Sequence, residues 1–499
     1  MTDSVIEKWL LEASLLDLQS AMENGELNSE KLVQWYLDRI ERYDRLLNSI
    51  LELNPDALEL ARELDRERLT AGSRGPLHGI PVLLKDNIGT ADRMHTSAGS
   101  IALANWHAER DSGVAARLRA AGAVFLGKTN MTEWANFMSS TMWAGYSSRG
   151  GLVLNPHGPG ELFVGGSSSG SAAAVAAHLA AAAVGTETSG SIISPASQNN
   201  IVGLKPTVGL VSRSGIIPIS ITQDTAGPMT RTVTDAAVML GVIAGSDERD
   251  AMTASADVRK HADYTVFLRR DGLRGARIGI PRYYYGKLET HRLAVAEAAI
   301  EVLRKEGAIL EDPVELPCER TEWDANVMRY EFKKGLNDYL AGLGEDQPVR
   351  SLKELIAYNE ANAERALRYG QDVLLWAEET SGTLTEPEYL ASKALNREMA
   401  RAQGIDYAID AHRLDALLIL GDEDLNDVAA RAGYPSITVP GGYAEEGLLD
   451  PGGYNTKGPQ GMTFIGKAYS EPTLLRLAYA FEQATRHRRS PILKPSDEK

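Results

Sequence analysis

Cysteine is almost absent from this chain: Cys318 is the single one among 499 residues. No intrachain disulfide can form, and no zinc site could draw on two thiolates. That usage fits a reducing compartment, and the expected localisation is cytoplasmic. Basic residues are also in short supply, 52 against 68 acidic ones, for a net charge of −16. An acidic surface repels phosphate backbones, so no nucleic-acid partner is expected. Long apolar runs are missing too. The least polar stretch, Ala172 to Val184, contains His178 and falls short of the ~18 residues that suggest a membrane span, so no membrane partner is expected. The opening Met1-Thr-Asp-Ser-Val-Ile-Glu-Lys lacks a basic start followed by an apolar stretch and a small-residue cleavage site, which predicts no signal peptide. No His-Glu-x-x-His and no clustered histidine spacing points to a metal, and no cofactor is expected.

What is present is material for a large core, with 43% hydrophobic and 24% charged residues. Residues 9–66 look helical. Ser29 is a candidate cap for a helix whose Leu32, Val33, Tyr36, Leu37, Ile40 and Tyr43 share a face. An α/β alternation begins near residue 80. Ile80–Leu84 is a short apolar run after Gly79, Ser112–Ala121 reads as a helix stopped by Gly122, and Ala123–Leu126 reads as a buried strand. The cycle returns with a helix from about Arg292 to Glu306, a strand starting at Ala308–Leu310, strand candidates at Ala416–Leu420 and Ser436–Val439, and a closing helix Pro472–Thr485 with proline in its first turn. This predicts an α/β fold, a mostly parallel or mixed sheet with helices on both faces, organised as a single domain over 1–499. Residues 319–410 carry few strand signals and read as a helical insertion, either a cover over the site or a structural flank.

The least ordinary stretch is Phe163-Val-Gly-Gly-Ser-Ser-Ser-Gly-Ser-Ala-Ala-Ala-Val-Ala-Ala. Gly165 and Gly166 permit unusual backbone angles, and the alanine-rich run favours a thin, closely packed helix. The N-terminus of that helix would then carry a hydroxyl-rich loop. A flexible Gly/Ser linker is the other reading, but a linker would not run straight into a buried helix. A second loop follows at Gly185-Thr-Glu-Thr-Ser-Gly-Ser. There Thr188, Ser189, Gly190 and Ser191 offer successive N–H groups of the kind that line an oxyanion hole. Lys85 ends the apolar run Ile80–Leu84. At a buried edge its amine either pairs with an acid, such as Asp86, or loses its proton.

Two further patterns compete. Gly122-Ala-Val-Phe-Leu-Gly-Lys-Thr129 fits a phosphate-cradling loop and would make this a nucleotide-binding protein using Gly122 to Thr129, but its middle residues are strand material. Gly166-Ser-Ser-Ser-Gly fits a nucleophile elbow centred on Ser168, which needs an acid and a histidine further on; His261, His291, His412 and His487 stand in no telling context.

Taken together the segments resemble the amidase signature family. The carrying residues are Lys85 in Pro-Val-Leu-Leu-Lys-Asp-Asn, Gly127-Lys-Thr-Asn, Gly165-Gly-Ser-Ser-Ser-Gly-Ser-Ala, Gly185-Thr-Glu-Thr-Ser-Gly-Ser-Ile, Gly203-Leu-Lys-Pro-Thr and Asp224-Thr-Ala-Gly-Pro-Met. Ala432-Gly-Tyr-Pro-Ser-Ile-Thr-Val-Pro and Met462-Thr-Phe-Ile-Gly-Lys continue it, so the resemblance covers nearly the whole chain. It implies one α/β/α domain around a mixed sheet. It places the nucleophile on Ser191, the bridging serine with a preceding cis peptide on Ser167, the base on Lys85, and the oxyanion hole on the N–H groups of Thr188, Ser189, Gly190 and Ser191. Two departures stand out. Many members have Asp or Gly at Ser189, and many have at Ile193 an arginine that serves carboxylate-bearing substrates in some of them. The middle of the chain looks most like bacterial peptide amidases and related amidases, which implies hydrolysis of a C-terminal peptide amide or a simple amide. Trp134 to Tyr146 and the 319–410 insertion are expected to shape the pocket. Within the same family, the resemblance also admits the glutaminase subunit of a tRNA-dependent amidotransferase.

Overall fold

The computed structural model describes residues 3–344, 347–449 and 455–495; Met1 and Thr2 of the opening stretch lie outside them. Eleven strands form one mixed sheet. In chain order they are β1 (Ile50–Leu53), β2 (Pro81–Lys85), β3 (Val124–Thr129), β4 (Ala182–Glu187), β5 (Val202–Lys205), β6 (Thr225–Thr230), β7 (Arg277–Gly279), β8 (Ile309–Glu311), β9 (Ala416–Leu420), β10 (Ser436–Ala444) and β11 (Gly458–Ile465). Across the sheet they run β1-β3-β2-β4-β6-β5-β10-β11-β9-β7-β8. β2 pairs in parallel with both β3 and β4, whereas β6 joins β4 antiparallel. Helices pack around this sheet, giving the expected mixed α/β architecture.

The strands near the site follow from simple local rules. Ser112 caps the helix Gly113–Ala120 by accepting the Ala115 N–H at 3.1 Å. Gly122, at φ +80°, ends that turn and releases the apolar β3. β2 is buried at every position, as its continuous apolar run requires when parallel neighbours flank it. Its last residue, Lys85, pairs with Thr129, and Leu84 pairs with Val184 three residues before β4 ends at Glu187. Lys85 therefore stands at the carboxyl ends of three adjacent parallel strands, where open α/β sheets place their ligands.

Several expectations need correction. The helix after residue 28 is capped by the Asn28 side chain, which accepts the Lys31 N–H. Ser29 is its first residue, and its hydroxyl donates instead to the Gly79 carbonyl at 2.7 Å. Residues 9–66 are not wholly helical, because Ile50–Leu53 adds an antiparallel edge strand to β3. β6 escapes a sequence reading because it contains Gly227 and Pro228. Here the glycine serves close packing: a Cβ on Gly227 would lie 2.0 Å from the Leu204 carbonyl oxygen.

Among the described residues, 319–410 contain helices and no strands. Phe332, Leu336, Leu340, Leu352 and Leu374 from this region share a satellite core with Met131, Trp134, Met138, Ile217 and Ile219. No helix among the described residues is long and apolar enough to cross a membrane.

Candidate active site

The Gly/Ser block is a built loop that enters a helix, not a linker. The helix Ser169–Ala176 is buried along its whole length and packs on β4. Its small side chains permit that approach: a Cβ on Gly170 would lie 2.3 Å from the Asn130 carbonyl oxygen. The peptide bond between Gly166 and Ser167 is cis, and the Ser167 carbonyl accepts the Thr132 N–H at 3.1 Å.

Lys85 is completely buried. Its Nζ lies 2.8 Å from Ser167 Oγ, 2.9 Å from Ser168 Oγ and 3.2 Å from the Thr186 carbonyl oxygen, all within hydrogen-bond distance. Among the described residues no carboxylate pairs with it. Asp86 turns the other way, accepting the Ser97 hydroxyl, the Gly99 N–H at 2.9 Å and Arg149 at 3.4 Å. Burial pushes the Lys85 amine down to about 7, and the charges of Glu187 and Asp224 pull part of the way back.

The three partners are not equivalent. A carbonyl can only accept. Ser168 spends its own proton on the Thr186 carbonyl at 3.1 Å, so towards Lys85 it too acts as an acceptor. A neutral amine has two N–H groups and one lone pair. With both N–H groups directed to Thr186 and Ser168, the lone pair faces Ser167. This arrangement also disposes of the elbow reading of Ser168, whose buried hydroxyl is committed to Lys85 and Thr186.

Ser191 lies beside this cluster. Its carbonyl accepts the Ser168 N–H at 3.2 Å, which ties the two loops together. Among the described residues its hydroxyl makes no hydrogen bond. It opens, with Gly166, into a cavity of about 300 Å³ that Phe137, Phe163, Met328 and Asp422 also line. The N–H groups of Thr188, Ser189, Gly190 and Ser191 meet no protein acceptor among the described residues, and Gly190 sits at φ +78°. The chain thus presents a run of undonated N–H groups beside a serine hydroxyl, the hardware for an oxyanion. The structure links Lys85 to Ser167 directly and brings Ser191 to the same loop. It does not form a Ser167–Ser191 hydrogen bond.

Residues that the sequence reading did not single out hold this loop. The Glu187 carboxylate accepts the N–H groups of Ile192 and Ile193 at 2.7 and 3.0 Å, and the Asn426 amide at 3.1 Å. Asp224 accepts the Thr188 hydroxyl at 2.5 Å and the N–H groups of Ile219 and Ser220; burial lifts its carboxyl to about 6. Ser189 donates to Asp427. Burial, with the charges of Glu187 and Asp427, raises Asp422 well above the usual carboxylate range. Glu187 and Asp224 were legible only as letters inside their motifs. Nothing local announces that a carboxylate will cap backbone N–H groups rather than meet a cation.

The phosphate-loop pattern fails. Val124–Thr129 is strand β3, and Lys128 is buried, donating to the Ile88 carbonyl at 2.5 Å and to Thr96 at 2.9 Å.

The family model described as Amidase matches residues 31–420. A peptide amidase from Stenotrophomonas maltophilia superposes with a TM-score of 0.87 at 46% identity, covering 97% of this chain and 99% of that one. A probable amidase of Arabidopsis thaliana is 43% identical, covering 96% of this chain and 91% of the relative. A glutamyl-tRNA(Gln) amidotransferase subunit of Nitrosococcus oceani is 35% identical, covering 95% of this chain and 97% of that one.

Proposed function

We propose, for a chain that belongs to the amidase family and acts as a hydrolytic amidase, that it converts a C-terminal peptide amide or a simple amide to a carboxylate plus ammonia or an amine, through an acyl-enzyme on Ser191. The observation that carries this reading is the Lys85 amine, buried with no carboxylate partner among the described residues and 2.8 Å from Ser167 Oγ. Amide nitrogen is a poor leaving group. The attacking hydroxyl must lose a proton and the nitrogen must gain one. Neutral Lys85 takes the proton of Ser167 as Ser167 takes that of Ser191. The Ser191 oxygen bonds to the carbonyl carbon, and the oxyanion rests on the N–H groups of residues 188–191. Returning the proton through Ser167 to the nitrogen breaks the C–N bond. Water then attacks the ester by the same route and frees Ser191.

The likeness to a peptide amidase supports the peptide-amide substrate, and the 319–410 segment is assigned as the cover of the site because Met328 borders its cavity. The low cysteine content supports a cytoplasmic location. Likeness to amidotransferase subunits offers glutaminase activity within a complex as a second reading. Against it, Ile193 is fully buried where the resemblance expects an arginine for carboxylate-bearing substrates. The deciding experiment measures ammonia release from peptide amides, aryl amides, fatty amides and glutamine, with Ser191→Ala as control. Peptide amides should react with this chain on its own. Turnover of glutamine alone, and only in a complex with other chains, would sink the proposal.

A further inference from the structure

Met328, Glu331, Phe332 and Gly335 fall on one face of the helix Asn326–Ala341. That face packs on the chain around Ile217 to Ile219: Phe332 shares a core with both isoleucines, and a Cβ on Gly335 would lie 3.2 Å from Pro218 Cγ. Glu331 is a fully buried carboxylate among these apolar neighbours. We propose that Glu331 is a positioning residue for the reaction: through the turn of residues 219–224 it sets Thr188, the first residue of the oxyanion loop, and so ties the 319–410 insertion to the chemistry. The proposal rests on the amidase reading, in which the N–H groups of residues 188–191 hold the oxyanion.

Neutral donors hold the carboxylate. Its Oε2 accepts the Ser220 hydroxyl at 2.5 Å, the Thr222 N–H at 3.0 Å and the Thr222 hydroxyl at 2.9 Å. Its Oε1 accepts the Tyr389 hydroxyl at 2.8 Å. Lys393 approaches Oε1 only to 4.0 Å and donates to Tyr389 at 3.0 Å. Burying a carboxylate is costly unless hydrogen bonds replace its water, and three of the four bonds named here come from one turn. That turn is exposed at its tip, where Ile221 is 40% accessible. Packing does little to fix it there, so these hydrogen bonds set its place.

The same turn grips Thr188 at two points. Asp224 accepts the N–H groups of Ile219 and Ser220 at 2.8 and 2.9 Å, and the Thr188 hydroxyl at 2.5 Å. Its own N–H donates to the Ser220 carbonyl at 3.0 Å. Next to it, Gln223 Nε2 donates to the Thr188 carbonyl at 3.4 Å. The carbonyl of Thr188 and the N–H of Ser189 belong to one planar peptide, so whatever holds the first aims the second. A shift of Ser220 and Thr222 therefore passes through Gln223 and Asp224 to an N–H that faces the developing negative charge, where small displacements weigh most.

The test measures hydrolysis of a peptide amide and inhibition by the matching peptide aldehyde and peptide carboxylate. On the aldehyde the Ser191 oxygen bonds to the carbonyl carbon, its proton passes through Ser167 to Lys85, and the carbonyl oxygen becomes an oxyanion. The carboxylate binds without forming one. Glu331→Met fills the space and removes the acceptor. It should lower kcat and aldehyde affinity by about tenfold or more, and leave KM and carboxylate affinity within about twofold, the mark of an interaction made only in the transition state. Glu331→Gln keeps one oxygen for the turn and should restore kcat to within about threefold of the wild-type protein. Thr222→Val, at a half-buried position, removes one of the bonds from the other side and should cost about threefold in kcat. Unchanged kcat in folded Glu331→Met, or aldehyde and carboxylate affinities that fall together, would overturn the proposal and leave the amidase reading standing. Should Glu331→Met not fold, unchanged kcat in Thr222→Val would overturn it equally. A wild-type protein that neither hydrolyses the amide nor binds the aldehyde would overturn the amidase reading, and this role of Glu331 with it.

Discussion

The hydroxyl of Ser168 lies 2.9 Å from the amine of Lys85 and donates its own proton to the Thr186 carbonyl. Ser168 is therefore an acceptor towards Lys85, and in the proposed relay a neutral amine is left to receive a proton from Ser167 alone. Replacing Ser168 with alanine removes this bias. Ser168→Ala should lower kcat by roughly tenfold, while KM changes little, because general-base efficiency depends on the orientation of the lone pair. Unchanged kcat in a folded variant would show that Ser168 does not orient the base.

In the proposed mechanism Ser167 returns the proton to the leaving nitrogen, a step that amides test more severely than esters. An amine leaves only after protonation, whereas an alkoxide is a better leaving group. Ser167→Ala should therefore lower amide hydrolysis by at least about 100-fold and lower hydrolysis of the matching ester less. Ser191→Ala should abolish both. Equal losses on the two substrates in Ser167→Ala would place Ser167 outside proton delivery.

The amine of Lys85 is pushed down to about 7 by burial, and only its neutral form can accept a proton. The rate should rise with pH through about 7 and level above it. The stability sign follows from the same shift. Between about 7 and 10.5 the unfolded chain holds a proton that native Lys85 has released, so this residue makes stability rise with pH across that window. A rate profile that is flat from about pH 5 to 9 would contradict a titrating base here.

Gly190 combines φ +78° with crowding, since a Cβ there would lie 2.4 Å from Asp422 Oδ2. Gly190→Ala should shift the N–H groups of the loop and cost about 100-fold in kcat, with a smaller effect on KM. An active alanine variant would remove this loop from oxyanion binding.

Glu133 is fully buried, its Oε2 accepts the Ser148 N–H at 2.7 Å, and its Oε1 meets no hydrogen-bond partner among the described residues. Burial lifts its carboxyl to about 7 from 4.5. Native Glu133 binds its proton more tightly than the unfolded chain does, so its favourable contribution is complete below about 4.5 and is lost as pH rises through about 7. Glu133→Gln keeps the neutral shape at every pH. Its melting temperature relative to the wild-type protein should climb as pH goes from about 5 to 8. A constant difference would mean that Glu133 does not titrate in this range.

The sequence by itself determined the strand that ends at Lys85, the glycine stop before β3, the alanine helix behind the serine block and the mixed α/β plan, because each of these follows from short-range pattern. The resemblance also named Lys85, Ser167 and Ser191 before any of them had a position in space. Tertiary structure alone decided what the lysine meets. Asp86, its neighbour in sequence, lies in the turn after β2 that the Ile88 N–H closes by donating to the Lys85 carbonyl at 2.9 Å, and its carboxylate is taken up by Ser97, Gly99 and Arg149; the real partners of Lys85 arrive from residues 167, 168 and 186. Likewise only the fold could set Glu187 and Asp224 to holding backbone N–H groups, or bring β6 into the sheet despite its proline. These outcomes depend on which distant segments pack together, and a pattern with a period of two or four residues carries no record of that.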